Sequence, residues 1–164
     1  FPRNLQSFTD VFQARGVAVE TFTGAEEAVR EVDVIVTATP SKEPVLRADW
    51  VKAGTHVSAF GTDTRGKNEV EAALFGQATV VVDDVAQAVT IGDTQHPVAQ
   101  GIIGPDDIHA TLGEILAGRQ GGRTSSDEIT LFDATGLAFQ DLIAGQLAMT
   151  LAEEQGLGKR VILS

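Results

Sequence analysis

The sequence predicts an α/β protein built on a parallel sheet, and three observations lead there. The run 34–38 is continuously apolar and β-branched, and 55–60 is an apolar, β-branched-rich run bounded by Gly54 and Gly61, the pattern of buried strands in a parallel sheet. Between them lie segments whose apolar residues recur at three- and four-residue steps, and strands alternating with helices imply crossover connections. Finally, the chain opens at Phe1-Pro2-Arg3-Asn4 as if at the end of a second strand, and no G-x-G-x-x-G turn follows any strand-like run. Together these specify a partial Rossmann-type, doubly wound parallel sheet lacking its first β-turn-α unit. The expectation is therefore the C-terminal portion of a longer protein, with residues 1–155 as one nucleotide-binding domain incomplete at its N-terminus and 156–164 as a tail; the alternative is a complete domain with an unusual sheet.

Taken in order, Leu5, Phe8, Val11 and Phe12 give a helix with one apolar face, closed by Gly16. Val17, Val19 and Thr21 alternate with smaller or polar residues, so 17–22 is expected to be a strand. Thr23-Gly24 opens a short helix through Arg30. The run 34–38 is a strand ended by Thr39-Pro40, since proline continues neither helix nor central strand. A helical turn over 47–53, a strand over 55–60, a helix over 68–75 and a strand over 79–83 follow. Beyond Asp84 the regularity weakens: a helix over 85–90, a loop through Pro97 and Pro105, and a helix over 107–117. The glycine-rich stretch 118–123 reads either as a phosphate contact or as a mobile connection, and the lack of a preceding strand favours the connection. A last strand over 128–133 leads into the strongest helix, where Phe139, Leu142, Ile143, Leu147, Thr150 and Leu151 share a face, ended by Gly156. The tail carries a further apolar run at 161–163. There is no internal repeat and no low-complexity segment.

At 164 residues and 43% hydrophobic, the chain is long enough to bury one sizeable core. No apolar run reaches the roughly 18 residues that span a bilayer, and residues 1–10 lack a charged region followed by an apolar one, so a soluble, cytoplasmic protein is expected. The absence of cysteine excludes disulfides, thiolate catalysis and sulfur-ligated metal. His56, His96 and His109 have no metal-ligand spacing, so no metal is expected. A net charge of −11 without a basic stripe disfavours nucleic acid. Only four of the twelve basic residues are lysine, which suits a high-salt cytoplasm or GC-rich coding equally.

Chemistry concentrates at 57–67, where an apolar run breaks into a loop bearing Asp63 and Lys67. Both lie just beyond the C-terminal end of a strand, the edge at which open α/β sheets bind ligands. An acid there can exchange a proton with a substrate, and Gly66 lets the backbone bend close to a ligand. The alternative is that Asp63 caps the turn before the next helix and Lys67 is a solvated charge. Asp83 and Asp84 also follow a strand, but no glycine-lysine pair accompanies them, and a helix cap at Asp84 explains them.

Four motifs in order, Val-Thr-Ala-Thr-Pro-Ser at 36–41, Gly-Thr-Asp-Thr-Arg-Gly-Lys at 61–67, Leu-Gly-Glu-Ile at 112–115 and Phe-Asp-Ala-Thr-Gly-Leu-Ala-Phe-Gln-Asp at 132–141, resemble the ornithine cyclodeaminase/mu-crystallin family. The resemblance runs from Arg3 to about Ala152 and implies the NAD- or NADP-binding half of an amino or imino acid enzyme. It further implies a homodimer formed through a domain absent from this sequence. By the same resemblance, Thr39 lies beside the cofactor ribose, the backbone of Val57, Ser58, Ala59 and Phe60 runs along the cofactor, and Lys67 lies near the nicotinamide. Asp63 handles the proton and touches substrate, and Ala134 with Thr135 forms the turn beside nicotinamide and substrate. Family members commonly carry serine where this chain has Ala134, so a hydroxyl contact there must come from Thr135 or the backbone. The implied reaction is hydride transfer at an amino-bearing carbon: ornithine cyclodeamination to proline and ammonia, or an alanine dehydrogenase or cyclic imine reductase reaction. A non-catalytic mu-crystallin-like binder is the rival of another class. Crystallin-type sequences lack an aspartate at the position of Asp63, so its presence favours an enzyme. Phe1 stands where an acid would bond the ribose 2′-hydroxyl, and Arg3 is placed to pair with a 2′-phosphate, pointing to NADP(H). The isolated 164 residues are expected to be inactive and, with a sheet edge exposed, prone to aggregate.

Overall fold

A computed structural model describes residues 2–159 and Val161. Five parallel strands form its sheet: β1 (Val34–Thr37), β2 (His56–Ala59), β3 (Ala78–Val82), β4 (Ala110–Thr111) and β5 (Ile129–Asp133). Their spatial order is β1-β2-β5-β3-β4, so the last strand in sequence inserts at the centre. Its pairing with β2 sets Ala59 opposite Asp133, and its pairing with β3 sets Val82 opposite the same residue. The C-terminal ends of β2, β5 and β3 are thereby level, and the loops leaving them form one edge.

Burial alternates along the strands. Val57, Ala59, Val80, Val82 and Leu131 are at most 1% exposed, whereas Val34 and Val36 are 60% and 61% exposed. The unbroken apolar runs implied strands covered on both faces; among the described residues one face is covered. That core is closed by Leu46, Val70, Leu74, Phe75 and Ala88, of which Leu74 and Phe75 come from α3 (Ala72–Phe75) and Ala88 from α4 (Val85–Ile91). Preceding the sheet, α1 (Pro2–Gln13) stacks Phe8 on Phe12 at 4.5 Å, and α2 (Ala25–Val29) follows. At the other end, α7 (Ala138–Glu154) is a 17-residue helix with no buried residue. No helix among the described residues is long and apolar enough to cross a membrane.

Four expectations need correction. Residues 17–22 are not a strand: no ladder partner exists for them among the described residues, and Val17 and Phe22 are exposed. A strand exists through its pairing, so alternation alone does not make one. The helix expected over 68–75 starts only at Ala72, because the backbone of Glu69 and Val70 is held extended by Asp93 and Val70 bridges to Leu46. The loop expected around Pro97 contains α5 (Gln95–Ala99); proline fits its first turn, where an amide lacks an intrahelical partner anyway. The helix expected over 107–117 is instead a 3₁₀ turn (Pro105–Asp107), the short edge strand β4, and α6 (Leu112–Leu116). There Thr111 and Glu114 form a reciprocal cap, Thr111 N donating to Glu114 Oε2 at 2.9 Å, which restarts the helix five residues late.

The glycine-rich stretch is tied down as well. Arg123 donates to the carbonyls of Gly54 and Glu128 at 2.8 and 2.7 Å and to Thr130 Oγ1 at 3.0 Å, anchoring the return into β5. These three bonds make Arg123 a structural anchor.

Candidate functional site

The edge where β1, β2, β5 and β3 end is held together by four acidic side chains that serve as acceptors. Glu69 is fully buried and gathers the ends of β1 and β2. Its Oε2 accepts from Thr37 Oγ1 at 2.8 Å and from Gly61 N at 2.8 Å, while Oε1 accepts from Thr39 N. Gly61 has to be glycine, since a Cβ there would collide with the Thr39 carbonyl and the Glu69 carboxyl. Asp93, also fully buried, accepts from Glu69 N at 2.7 Å, Val70 N at 3.2 Å and Thr62 Oγ1 at 2.8 Å. Asp133 Oδ2 accepts from Thr94 N and Thr94 Oγ1 at 2.8 and 2.6 Å. Asp83 closes the set, Oδ2 accepting from Thr135 N and Gly136 N, each at 2.8 Å, which fixes the turn after β5. Asp84 N-caps α4 by accepting from Gln87 N at 2.8 Å, as its position beyond β3 implied.

On this floor stand the residues singled out in the sequence. Asp63 and Lys67 meet: Lys67 Nζ donates to Asp63 Oδ1 at 2.6 Å and to the Gly61 carbonyl at 3.3 Å. The Asp63 side chain is 58% exposed, and the bonds from Lys67 and then Thr64 hold its carboxyl below the usual carboxylate range, so it is an anion at neutral pH. Val57 and Ala59 are fully buried, Ser58 Oγ bonds His56 Nε2 at 3.0 Å, and β2 is paired on both sides, so the half-exposed ring of Phe60 is the large side chain that this stretch leaves open. Phe60 packs edge-on against Phe132 at 6.0 Å. Ala134 N donates to Ala59 O at 3.0 Å, which sets the 134–135 turn beside the end of β2. Thr135 is nearly buried, and its hydroxyl donates toward Asp83 at 3.0 Å. Arg3 lies in the first turn of α1, but its side chain and Phe1 lie outside the described residues. Among the described residues no group of three or more potential ligands gathers in metal-binding geometry.

Glu69, Asp93, Asp133 and the turn-holding role of Asp83 were not anticipated. For Asp133 a signal existed: a carboxylate ending an apolar central strand has to be buried. Burial pushes the Asp133 carboxyl up to about 7, against the bonds from Thr94 and with added repulsion from Asp93, and its Oδ1 has no hydrogen-bond partner. Asp93 is raised by the same burial. Because the folded carboxyl holds its proton more tightly than the unfolded one, Asp133 contributes most stability in acid and loses it as pH rises from about 4 to about 7. At about 1.4 kcal/mol per pH unit the decline is on the order of 4 kcal/mol. Asp133→Asn mimics the protonated acid, so its stability relative to the parent is expected to improve by a few kcal/mol between pH 5 and pH 8, measured by urea unfolding. Parallel curves for the two proteins would remove Asp133 as the source.

Comparison with known proteins places these features in context. Residues 1–155 match the model of the ornithine cyclodeaminase/mu-crystallin family. The alanine dehydrogenase of Archaeoglobus fulgidus is 42% identical over 95% of this chain and 48% of its own length. The iminosuccinate reductase of Paracoccus denitrificans is 44% identical over 80% of this chain and 40% of its own. Among solved structures, Thermococcus litoralis Delta(1)-pyrroline-2-carboxylate reductase in complex with NADH and L-proline superposes with a TM-score of 0.93 at 34% identity, covering 98% of this chain and 50% of that one. The chain spans about half the length of the curated relatives it matches.

Proposed function

Because this chain belongs to the ornithine cyclodeaminase/mu-crystallin family, we propose that it forms the cofactor-binding half of an NAD- or NADP-dependent enzyme that interconverts an amino acid and its imine. The observation that carries the reading is the Asp63–Lys67 pair at 2.6 Å on a ligand-binding sheet edge. The strand ends suit a flat heteroaromatic cofactor. Phe60 presents half its surface there, and Gly136, with φ +83°, leaves open space over the turn after β5. Thr39, the backbone of Val57–Phe60, Lys67, Ala134 and Thr135 would hold it, and a bound nicotinamide takes up or returns the hydride. Asp63, an anion at rest, accepts a proton from the substrate nitrogen as the C–H hydride leaves and a C=N bond forms. In the reverse direction it returns that proton. Lys67 keeps the carboxylate oriented and ionised between turnovers.

Dehydrogenase or reductase chemistry on a small amino or imino acid is the first form of this reading, since the 42% and 44% identical relatives carry such names. Ornithine cyclodeamination uses the same acid and differs in the fate of the imine. A homodimer and a small-molecule amino or imino acid partner belong to the same proposal. The test is to titrate the full-length protein that contains this half with NAD(H) and NADP(H) by calorimetry, then to assay alanine, pyruvate with ammonia, cyclic imines and ornithine. Saturable binding of at least one cofactor and turnover of one substrate class are expected. No binding of either cofactor would overturn the reading. Ammonia release from ornithine without net change in reduced cofactor would select the cyclodeaminase form.

A further inference from the structure

The four residues 93–96 are contiguous in sequence and reach two different parts of the site. Thr94 is tied by backbone and hydroxyl to Asp133, the residue immediately before the 134–135 turn. On its other side the segment grips the loop that carries Asp63 and Lys67. Asp93 takes Thr62 Oγ1 at 2.8 Å, Gln95 Oε1 accepts from Gly66 N at 2.9 Å, and His96 Nε2 bonds the Lys67 carbonyl at 2.6 Å. A carbonyl only accepts, so His96 Nε2 carries hydrogen in that contact whatever the state of the rest of the ring. The loop itself has few other restraints. Asp63, Thr64, Arg65 and Gly66 are exposed, and Gly66 adopts φ +83°. Between Thr62 and Asn68, the bonds that reach outside the loop are those to Gln95 and His96 among the described residues, and Asn68 N, in the same peptide unit as the Lys67 carbonyl, donates to the Ser41 carbonyl at 2.9 Å.

We propose that segment 93–96 is a clasp that sets the position of the Asp63–Lys67 loop relative to the 134–135 turn, with His96 as its principal positioning residue. The proposal rests on the hydride-transfer reading above for its consequence in turnover, but the clasp itself is a statement about loop order. His96 touches no reacting atom in this account. Removing its bond to the Lys67 carbonyl loosens the C-terminal limb of the loop, which is then held only by Gln95 and by the Asn68 amide on the Ser41 carbonyl, while leaving the strand ends and their carboxylates in place. The acid is then misplaced although the cofactor platform persists, and small misplacements of a catalytic group are costly.

The test uses the full-length protein that contains this half, with His96→Ala and the conservative His96→Gln, whose amide can still donate to the Lys67 carbonyl. Amide hydrogen exchange reports the loop without any need for activity. Gly66 N retains its Gln95 acceptor in both variants, so faster exchange there reports loosening rather than a lost bond. His96→Ala is expected to speed exchange at Gly66 at least tenfold with β3 and β5 unchanged. Its kcat should fall about tenfold, the cofactor Kd should stay within threefold, and His96→Gln should recover most of both effects. Unchanged Gly66 exchange would overturn the clasp. Exchange rising equally in β3 and β5 would also overturn it, by making His96 a general stability residue. Loop loosening without any cofactor binding or turnover in the parent would uphold the clasp and sink the functional reading instead.

Discussion

Asp63→Asn is expected to lower kcat by about 10² to 10⁴, the usual range for loss of a general acid–base group. The substitution keeps the size of the side chain and an oxygen for Lys67, so the 2.6 Å contact can persist as a bond from the ammonium to an uncharged oxygen. What disappears is the capacity to take a proton at neutral pH, which the lysine-paired carboxylate has and a carboxamide lacks. Folding should be almost untouched. The side chain is 58% exposed, and exposed ion pairs contribute about 0–1 kcal/mol at most. Cofactor affinity should likewise hold, because the proposed platform is strand-end backbone rather than this carboxylate. Steady-state kinetics on the best substrate, with calorimetric titration of the cofactor alongside, separates the two effects. A kcat within a few-fold of the parent would make Asp63 a turn residue and end the catalytic assignment.

Glu69→Leu is expected to be the most damaging single change in stability, costing about 3–6 kcal/mol. Leucine fills a similar volume, so the cost is not a cavity. It arises because the buried Thr37 hydroxyl and the part-buried amides of Thr39 and Gly61 lose their acceptor together. Each buried unsatisfied donor costs roughly 1–3 kcal/mol, against a total stability of about 5–15 kcal/mol for an ordinary domain. Glu69→Gln retains one carbonyl acceptor, and about half the loss is expected. Urea unfolding of the full chain measures both. If the leucine variant lies within about 1 kcal/mol of the parent, the three donors have found other partners and Glu69 does not organise this edge. Since the same three bonds hold the ends of β1 and β2, any leucine variant that folds should also bind cofactor more weakly, unlike Asp63→Asn.

The residues of the candidate site divide by how they became visible. Asp63 and Lys67 were legible because they are four positions apart on one loop beyond an unmistakable strand, and the Asp84 cap because it sits one residue before its helix. Segments 17–22 and 107–117 misled for the opposite reason. Alternation in the first has no pairing partner among the described residues. In the second, the Thr111–Glu114 cap and the pairing of β4 to β3 prevail over the apolar spacing.

By itself the sequence determined the class of fold, the parallel pairing, the family and the loop bearing Asp63 and Lys67. All of these follow from local period, punctuation by glycine and proline, and motif order, which are properties of neighbouring residues. Tertiary structure alone decided that β5 enters between β2 and β3, that one sheet face is left uncovered among the described residues, and that Glu69, Asp83, Asp93 and Asp133 form the floor of the site. The bonds concerned join residues far apart in sequence: 32 positions for Glu69 to Thr37, 39 for Asp133 to Thr94 and 52 for Asp83 to Thr135. No local pattern encodes such a bond. A buried carboxylate is tolerated only where folding delivers its donors, so its role exists only once strands distant in sequence have been brought side by side.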